Sequence, residues 1–281
     1  MSRAGTAGAT APSANIRTNP ARARRVIAQS RQEFVARYPD LKFSPVVGLI
    51  CAYDEEDNIG AVLRAMPADA CGLPVSTLVI VDGGNDHTDR VALEAGATTF
   101  VLSENLGHGY ALRVGYALAI EFGAQFVVTL DADGQNDPVE IPVMLQPLIQ
   151  DEADFVVASR RLGLDTTTDR TRKAGVRVFS WVMSLLGGTR LTDTSNGYRA
   201  LRVLMLDDVV HRLTESQYQT AELLMVCLKR GWRVTERPTR WLPRSSGTTK
   251  KGKNYLFGLR YARVVLSTWW RERAVATTRS S

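Results

Sequence analysis

The sequence lacks any apolar run long enough to cross a membrane. No stretch approaches the roughly 18 consecutive apolar residues of a spanning helix, and the N-terminus has no apolar core of the signal-peptide type. With 44% hydrophobic and 23% charged residues, the composition is typical of a soluble globular protein. At 281 residues, the chain is long enough for one large α/β domain. We therefore expect a cytoplasmic protein.

Cysteine is scarce and has no metal-binding spacing. Cys51, Cys71 and Cys227 are odd in number and far apart. We expect small buried hydrophobic residues in a reducing compartment.

Positive charge is concentrated at one end of the chain. Residues 1–44 hold eight Lys and Arg against two acids, which accounts for the whole net charge of +6. The rest of the chain is balanced, so we expect no global nucleic-acid-binding surface. Nucleic-acid binding through the basic segment 1–44 is a further alternative. Residues 1–20 are rich in Ala, Ser, Thr, Gly and Pro and are expected to be disordered. A basic helix over 21–38 is predicted to pack on the body, touch a partner or meet anionic lipid.

Two carboxylates follow a short apolar run near the middle of the chain. Residues 126–130 are mostly apolar and rich in β-branched side chains, which predicts a buried parallel strand that ends at Asp131 and Asp133. Ligands bind at the carboxyl ends of strands in open α/β sheets. Two carboxylates and the amide oxygen of Gln135 suit Mg²⁺ or Mn²⁺ shared with substrate phosphates. An acidic turn that caps the next helix is the alternative.

Strands alternate with helices through the first half of the chain. Strands are predicted at 46–52, 77–81, 99–102 and 126–130, each followed by a helix, which favours a mostly parallel sheet. The turn at 82–88 opens a helix, and Asp82 there is able to accept hydrogen bonds from a base or sugar. A dinucleotide-binding oxidoreductase is disfavoured because Leu112 stands where the third glycine of G-x-G-x-x-G belongs.

The second half of the chain is less regular. A strand is predicted at 155–158, a long helix at 170–186, a polar turn at 193–199, a helix at 219–230 and an edge strand at 233–241. Residues 244–263 contain six basic residues and no acid, which suits a loop closing over a diphosphate or a solvated basic loop. The last helix has an apolar stripe at Tyr255, Leu259, Ala262, Leu266 and Trp269, typical of a membrane interface or of a core-covering helix.

These segments in this order resemble family-2 glycosyltransferases with a GT-A fold, most closely the dolichol- or polyprenyl-phosphate mannose synthase branch. The resemblance covers about residues 46–270 and rests on six segments: 52–58, 81–88, 105–109, 131–135, 193–199 and 244–250. It implies an N-terminal extension over 1–44, a catalytic domain over 45–243 with a Rossmann-like sheet, and a basic loop with an amphipathic helix over 244–281.

The resemblance also implies roles for individual residues. The base and ribose would meet Tyr53, Glu55, Asp82, Asp131 and Ala132, and the metal would be held by Asp131, Asp133 and Gln135. Phosphates of donor or acceptor would meet Arg199, Arg244 and Lys250. Asp133 would be catalytic through the metal, and Glu222 or Asp193 is the candidate base for a hydroxyl acceptor.

The sequence departs from the family pattern at several positions. Asp54 stands where the family usually has Asn, and the loop at Asp82 is one residue shorter, with Gly83 in place of a second acid. His87 replaces a glycine, and Asn196 is an additional polar residue. The base contacts, and with them the nucleotide, are left open between GDP and UDP.

The resemblance thus implies inverting, metal-dependent transfer of a hexose from a nucleotide diphosphate sugar to a polyprenyl phosphate, with peripheral contact to the cytoplasmic membrane face. Two alternatives are transfer to a soluble hydroxyl acceptor and a nucleotide-sugar-binding module without activity. The edge strand and the last helix are also open to a homodimer contact.

Overall fold

The computed structural model describes residues 19–166, 170–243 and 254–278. Its strands are β1 (Val46–Ala52), β2 (Asp69–Ala70), β3 (Leu73–Asp82), β4 (Thr98–Leu102), β5 (Phe126–Asp131), β6 (Phe155–Asp165), β7 (Arg199–Arg202) and β8 (Val234–Trp241). Its α-helices are α1 (Pro20–Arg37), α2 (Glu56–Arg64), α3 (Thr88–Glu94), α4 (His108–Glu121), α5 (Ile141–Ile149), α6 (Arg170–Gly187), α7 (Val203–Val209), α8 (Gln219–Lys229) and α9 (Asn254–Thr278). Short 3₁₀ turns precede α5 and follow α7.

In the described part of the chain, one mixed sheet runs in the order β4-β3-β1-β5-β7-β6-β8. β7 is antiparallel to both of its neighbours, whereas the other strands of this order run parallel to one another. β2 forms a short antiparallel pair with the start of β3. The predicted mostly parallel α/β sheet is confirmed, and β8 lies at its edge as predicted.

Each face of the sheet has its own hydrophobic core. Successive side chains of a strand point to opposite faces. In β1, therefore, Leu49 belongs to the core beneath α4, α7 and α8, and Ile50 to the core beneath α2 and α5. Strands buried on both faces need continuous apolar runs, and these runs are the reason that the central strands could be predicted from the sequence.

The N-terminal helix α1 packs on the body of the protein. Asn19 caps it by accepting a hydrogen bond from the backbone N–H of Ala21. Phe34 is buried, with ring centroids 5.3 Å from Phe100 of β4 and 6.0 Å from Phe122. Of the three alternatives for this helix, packing on the body, contact with a partner and contact with anionic lipid, the structure shows packing on the body.

Helices α6 and α9 are neighbours that each leave an apolar face exposed. α9 buries Tyr261, Val264 and Val265, and the ring of Tyr261 lies 4.8 Å from that of Phe179 in α6. The apolar side chains exposed on the two helices are Val178, Trp181, Leu185, Leu259, Leu266 and Trp270. Leu259 and Leu266 of the predicted stripe therefore do not face the core. No described helix combines the length and apolar character needed to cross a bilayer.

The sequence reading missed three features. Residues 199–209 form β7 and α7, directly after the predicted turn at 193–199, where no strand or helix is predicted. β6 continues past the predicted end at 158 to Asp165 because its extension pairs with β8, with Leu164 opposite Arg240. Cys71 is exposed and Cys51 only partly buried, so the prediction of buried cysteines holds for Cys227 alone.

Candidate active site

Neighbouring parallel strands end side by side at the candidate site. β1 lies between β3 and β5, with Cys51 opposite Asp131 and Ala52 opposite Val81. Burial raises the pKa of the Cys51 thiol well above its usual value, and the charges of Asp82 and Asp131 raise it further. Two carboxylates therefore lie close to the end of β1, at the sheet edge where α/β proteins bind ligands.

Asp82 ends β3 with its side chain only 4% exposed. Its Oδ1 accepts a hydrogen bond from the N–H of Leu106 at 2.8 Å, and its Oδ2 accepts one from the N–H of Gly107 at 2.9 Å. Burial raises the pKa of Asp82 to about 7, although both hydrogen bonds act to lower it. Asp82 thus fixes the turn that leads into α4 and titrates near neutral pH.

The turns after β1 and β3 are hydrogen-bonded to each other. Asp54 Oδ1 accepts from the N–H of Asn85 at 2.9 Å, and the N–H of Glu55 donates to Thr88 Oγ1 at 2.9 Å. A Cβ on Gly83 would lie 2.5 Å from the backbone nitrogen of Asn105. Gly83, with φ of +68°, therefore has to be glycine, which accounts for the missing second acid of the family pattern.

Tyr53 and Glu55, both predicted at the nucleotide, lie in the first of these turns. Burial raises the pKa of the Tyr53 hydroxyl, and the neighbouring Asp54 raises it further. The Glu55 carboxylate is buried and accepts a hydrogen bond from the side chain of Asn58 at 2.8 Å. Its carboxylate thus also supports the local turn.

The turn after β5 presents Asp131 and Asp133. The Asp131 N–H donates to Asn136 Oδ1 at 3.0 Å, and Ala132 is buried. No described residue donates a hydrogen bond to the Asp131 carboxylate. By contrast, Asp133 accepts from the backbone N–H of Gln135 at 3.1 Å. Asp131 is thus the carboxylate with more lone pairs available to a ligand.

The side chain of Gln135 lies between Asp133 and Trp241. One end of its amide lies 3.0 Å from Asp133 Oδ2 and the other lies 3.0 Å from the indole Nε1 of Trp241, while the amide nitrogen donates to the carbonyl of Leu242 at 3.4 Å. With the amide oxygen toward Asp133, two oxygens converge as ligands of one cation would, so Gln135 stays a predicted metal ligand.

A cationic cleft adjoins this turn. Its volume is about 290 Å³, and its lining comprises Arg160, Arg161, Asp165, Lys173, Val176, Arg177 and Asp193. The Arg160 guanidinium lies 4.9 Å from the ring of Trp241, whose indole is also adjacent to the side chain of Gln135. Among the described residues, Arg161 and Arg177 have no acidic partner. The cleft thus offers unneutralised cations next to the paired carboxylates.

The sequence comparisons identify the family. Residues 49–210, more than half of the chain, match the family described as Glycosyl transferase family 2. The chain belongs to glycosyl transferase family 2. The predicted resemblance is therefore confirmed, and the protein is a glycosyltransferase.

Two curated relatives and one solved structure extend this finding. The glycosyltransferase is 32% identical to a UDP-N-acetylglucosamine–dolichyl-phosphate N-acetylglucosaminyltransferase of Methanococcus voltae, over 75% of this chain and 91% of the relative. It is 31% identical to a dolichyl-phosphate hexose transferase of Haloferax volcanii, over 73% and 86%. Glucosyl-3-phosphoglycerate synthase from Mycobacterium tuberculosis, crystallised with Mn²⁺ and UDP, matches at a TM-score of 0.60 and 17% identity over 86% and 83%. The last likeness supports the GT-A fold.

The carboxylates of the glycosyltransferase fit a divalent cation that is also bound by substrate. Within the described ranges, no three His, Cys, Asp or Glu side chains are grouped as a metal site. Mg²⁺ in phosphate-transfer sites is commonly held by one or two carboxylates, with waters and substrate phosphates completing its shell. Asp131 and Asp133 supply that number of hard oxygen ligands.

The two predicted general bases, Asp193 and Glu222, do not lie where they could reach a substrate hydroxyl. Asp193 is fully buried and accepts two hydrogen bonds from Arg160, at 2.6 Å from Nε and 2.8 Å from Nη2. Glu222 is also fully buried and accepts from the backbone of Thr214 and Glu215 and from Arg271. A general base has to reach a substrate hydroxyl. Both carboxylates are instead engaged with the protein, so these two predictions are corrected.

Arg199 is likewise not a phosphate ligand. It is fully buried, and its guanidinium donates to the carbonyl oxygens of Asn196, Thr220 and Thr194. Burial lowers the pKa of Arg199. The side chain joins the turn before β7 to α8, and no surface of it is left for a ligand. Arg244 and Lys250 lie outside the described residues.

The sequence reading had not assigned the cationic cleft. Its signals were present: Arg160 and Arg161 follow a buried strand, and Lys173 and Arg177 are four residues apart on one helix. Residues four apart share a helix face. What the sequence did not show is that α6 lies against the extension of β6.

Proposed function

We propose that this glycosyltransferase transfers a hexose from a nucleotide diphosphate sugar, of the GDP-mannose or UDP-glucose type, to a polyprenyl phosphate. The cationic cleft beside the carboxylate turn is the observation that carries the acceptor class. A lipid phosphate is an anion, and guanidinium groups bind phosphate oxygens through short charge-assisted hydrogen bonds. The names of the two dolichyl-phosphate relatives support the same class.

The donor would lie across the ends of β1, β3 and β5. Tyr53, Glu55, Asp82 and Ala132 surround the place proposed for the base and ribose. Asp131 and Asp133 would hold Mg²⁺ or Mn²⁺ at the diphosphate. A bound cation supplies positive charge to the leaving group as its negative charge develops.

The acceptor chemistry explains why no free base is needed. An oxygen of the lipid phosphate is already anionic, so it attacks the anomeric carbon without losing a proton. The new carbon–oxygen bond forms on the face opposite the departing diphosphate, and the configuration inverts. Arg161 and Arg177 would hold the phosphate, while Asp193 keeps Arg160 in place.

The lipid side of the acceptor matches helix α6. Lys173 and Arg177 line the cleft, and Trp181 and Leu185 follow them on the same helix as exposed apolar side chains. A lipid phosphate has the matching order of groups, with a charged headgroup followed by an apolar chain. Exposed Leu266 and Trp270 of the adjacent α9 extend the apolar area, which supports peripheral contact with the membrane surface.

A soluble hydroxyl acceptor is the competing function. Phosphoglyceric acid is bound in crystals of the structural neighbour glucosyl-3-phosphoglycerate synthase, and the cleft also suits such a small anion. That reaction needs a carboxylate in reach of the hydroxyl. Glu222 and Asp193 are both engaged elsewhere, which favours the phosphate acceptor.

The donor is identified first, by thermal shift with GDP-mannose, UDP-glucose and UDP-GlcNAc, each with Mn²⁺ or with EDTA. A ligand that binds the native state raises the melting temperature. We expect a rise for one donor that needs Mn²⁺ and is lost in Asp131→Asn. If no donor shifts either protein, the proposed transfer is wrong, and so is the nucleotide-sugar-binding module; a donor shift without transfer to any acceptor would support the module.

The acceptor is then tested by transfer to a polyprenyl phosphate in detergent. Arg161→Ala and Arg177→Ala should each raise the KM for the lipid phosphate about tenfold or more, because a hydrogen bond to a charged group contributes roughly 1.5–3 kcal/mol. The donor KM should stay unchanged.

Arg90→Ala, which removes an exposed arginine from α3, is the matched control and should leave both KM values unchanged. Turnover with phosphoglyceric acid or another small hydroxyl acceptor, and none with the lipid phosphate, would establish the competing function.

A further inference from the structure

The loop of residues 213–218, between α7 and α8, is in backbone contact with the start of α4. The N–H of Gly109 donates to the carbonyl of Ser216 at 2.8 Å, and Arg113 Nη1 donates to the carbonyl of Leu213 at 2.7 Å. A Cβ on Gly109 would lie 2.3 Å from the carbonyl oxygen of Glu215. The first turn of α4 thus has no freedom to move independently of this loop.

The same start of α4 belongs to the nucleotide side of the candidate site. The N–H groups of Leu106 and Gly107 hold the two oxygens of Asp82. Only His108 separates Gly107 from Gly109. The position of loop 213–218 is therefore tied to the geometry around Asp82 through three consecutive residues.

The loop is held from the other side by α8 and α9. Glu222 of α8 accepts the N–H groups of Thr214 and Glu215 at 3.0 Å, together with the Thr214 hydroxyl. Arg271 of α9 donates to Glu222 at 3.0 Å and to the Thr214 hydroxyl at 3.1 Å. A second arginine of α9, Arg263, pairs with Glu215 at 2.9 Å.

Arg271 partly neutralises a carboxylate that is otherwise buried among neutral donors. A buried charge without a partner is costly, so removing the guanidinium leaves Glu222 in an unfavourable state that the loop relieves by moving. Since α9 also carries exposed Leu266 and Trp270, the position of its outer face is linked to the loop through the same helix.

We propose that the Glu222–Arg271 pair is a positioning pair, which transmits the seating of helix α9 to the nucleotide-binding turn at residues 105–109. Glu222 thereby sets donor affinity and not proton transfer. This inference rests on the proposed function for its effect on the donor. The mechanical link itself is measurable without any donor.

The link is tested by hydrogen–deuterium exchange of the peptide that covers residues 105–112, in the ligand-free protein. Arg271→Met should accelerate exchange of this peptide roughly tenfold, a typical strength for coupling between sites. Arg271→Lys, which keeps the charge, should restore most of the protection. Arg230→Met is the matched control, because Arg230 pairs with Asp208 between α8 and α7 and does not contact the loop.

The consequence for the donor is tested by steady-state kinetics on the same proteins. Arg271→Met should raise the donor KM about 5- to 20-fold with kcat changed less than about twofold, and Arg230→Met should change neither. A loss of kcat at constant KM would instead return Glu222 to a catalytic role. Equal exchange in Arg271→Met and Arg230→Met would overturn the proposal.

Two further results distinguish failure of the proposed link from misfolding of the variant and from failure of the proposed function. If Arg271→Met does not fold, Arg263→Met removes the more exposed contact to the same loop and should accelerate exchange of the peptide about two- to threefold; no acceleration would overturn the link. If the wild-type protein binds no nucleotide sugar, the proposed function fails, and the exchange result still decides whether α9 and the turn are linked.

Discussion

The carboxylate of Asp82 is nearly excluded from solvent, and two backbone N–H groups are its hydrogen-bond donors. Burial raises its pKa to about 7, from an ordinary value of 3.8. In the native protein Asp82 therefore keeps its proton over a pH range in which the unfolded chain has already released it. A native state that binds more protons loses stability as the pH rises.

We expect the free energy of unfolding to fall between about pH 4 and pH 7 because of Asp82, and this contribution to level off above pH 7. Asp82→Asn removes the titrating group. Urea unfolding of both proteins at several pH values measures the effect, and the difference between them cancels contributions from the three histidines. Parallel curves for the two proteins would mean that Asp82 titrates normally.

For individual residues, the sequence predicted which polar side chains matter better than it predicted their roles. Asp82 and Asp131 were placed at strand ends by the apolar runs before them, and both lie at the candidate site. Arg199, Glu222 and Asp193 were assigned roles toward ligands. Each is buried and bonded within the protein, and a local sequence does not distinguish a polar residue that binds a ligand from one that joins two elements.

Among the elements, those with a strong periodic pattern were predicted and those without one were missed. The runs of β1, β3 and β5 are apolar because both faces are buried. β7 is four residues long, with arginine at each end, so no run marks it. The extension of β6 pairs only with the edge strand β8, and its exposed Leu162 and Leu164 are unlike a buried strand.

Helices α6 and α9 each expose a tryptophan that we expect to contact the membrane surface. Trp181→Ser and Trp270→Ser should each weaken binding to vesicles that contain anionic lipid by about tenfold or more, since burial of a large apolar side chain is worth roughly 1.5–3 kcal/mol. Both side chains are more than 60% exposed, so stability in solution should hardly change.

Leu204→Ser is the control for this measurement. Leu204 is 68% exposed on α7, outside the two helices. Vesicle sedimentation should show wild-type binding for this variant and reduced binding for the two tryptophan variants. Equal binding of all proteins would remove α6 and α9 from the proposed membrane contact.

In the whole molecule, the described part of the N-terminal segment packs directly against the catalytic domain. Phe34 of α1 packs in an aromatic cluster with Tyr38, Phe100 and Phe122. Arg22 also pairs with Glu104, directly before the turn at Asn105. The sequence showed the basic character of the helix, but the contacts that fix it come from β4 and α4, far along the chain.

Phe34→Ala should lower the free energy of unfolding by roughly 3–5 kcal/mol, the usual cost of removing a buried phenylalanine. Chemical denaturation measures it. Val35→Ala, the next residue on the exposed side of α1, should cost less than about 0.5 kcal/mol. Equal small effects would mean that α1 is not part of the cooperative unit.

The antiparallel strand β7 stands between β5 and β6, so the ends of β5 and β6 lie on the same edge of the sheet, two strand widths apart. At about 4.8 Å per strand, that spacing is roughly 10 Å. In the proposed reaction, a diphosphate at Asp131 and a lipid phosphate at Arg161 would bring several negative charges together. The strand would act as a spacer that limits repulsion between donor and acceptor while leaving room for one sugar ring between them.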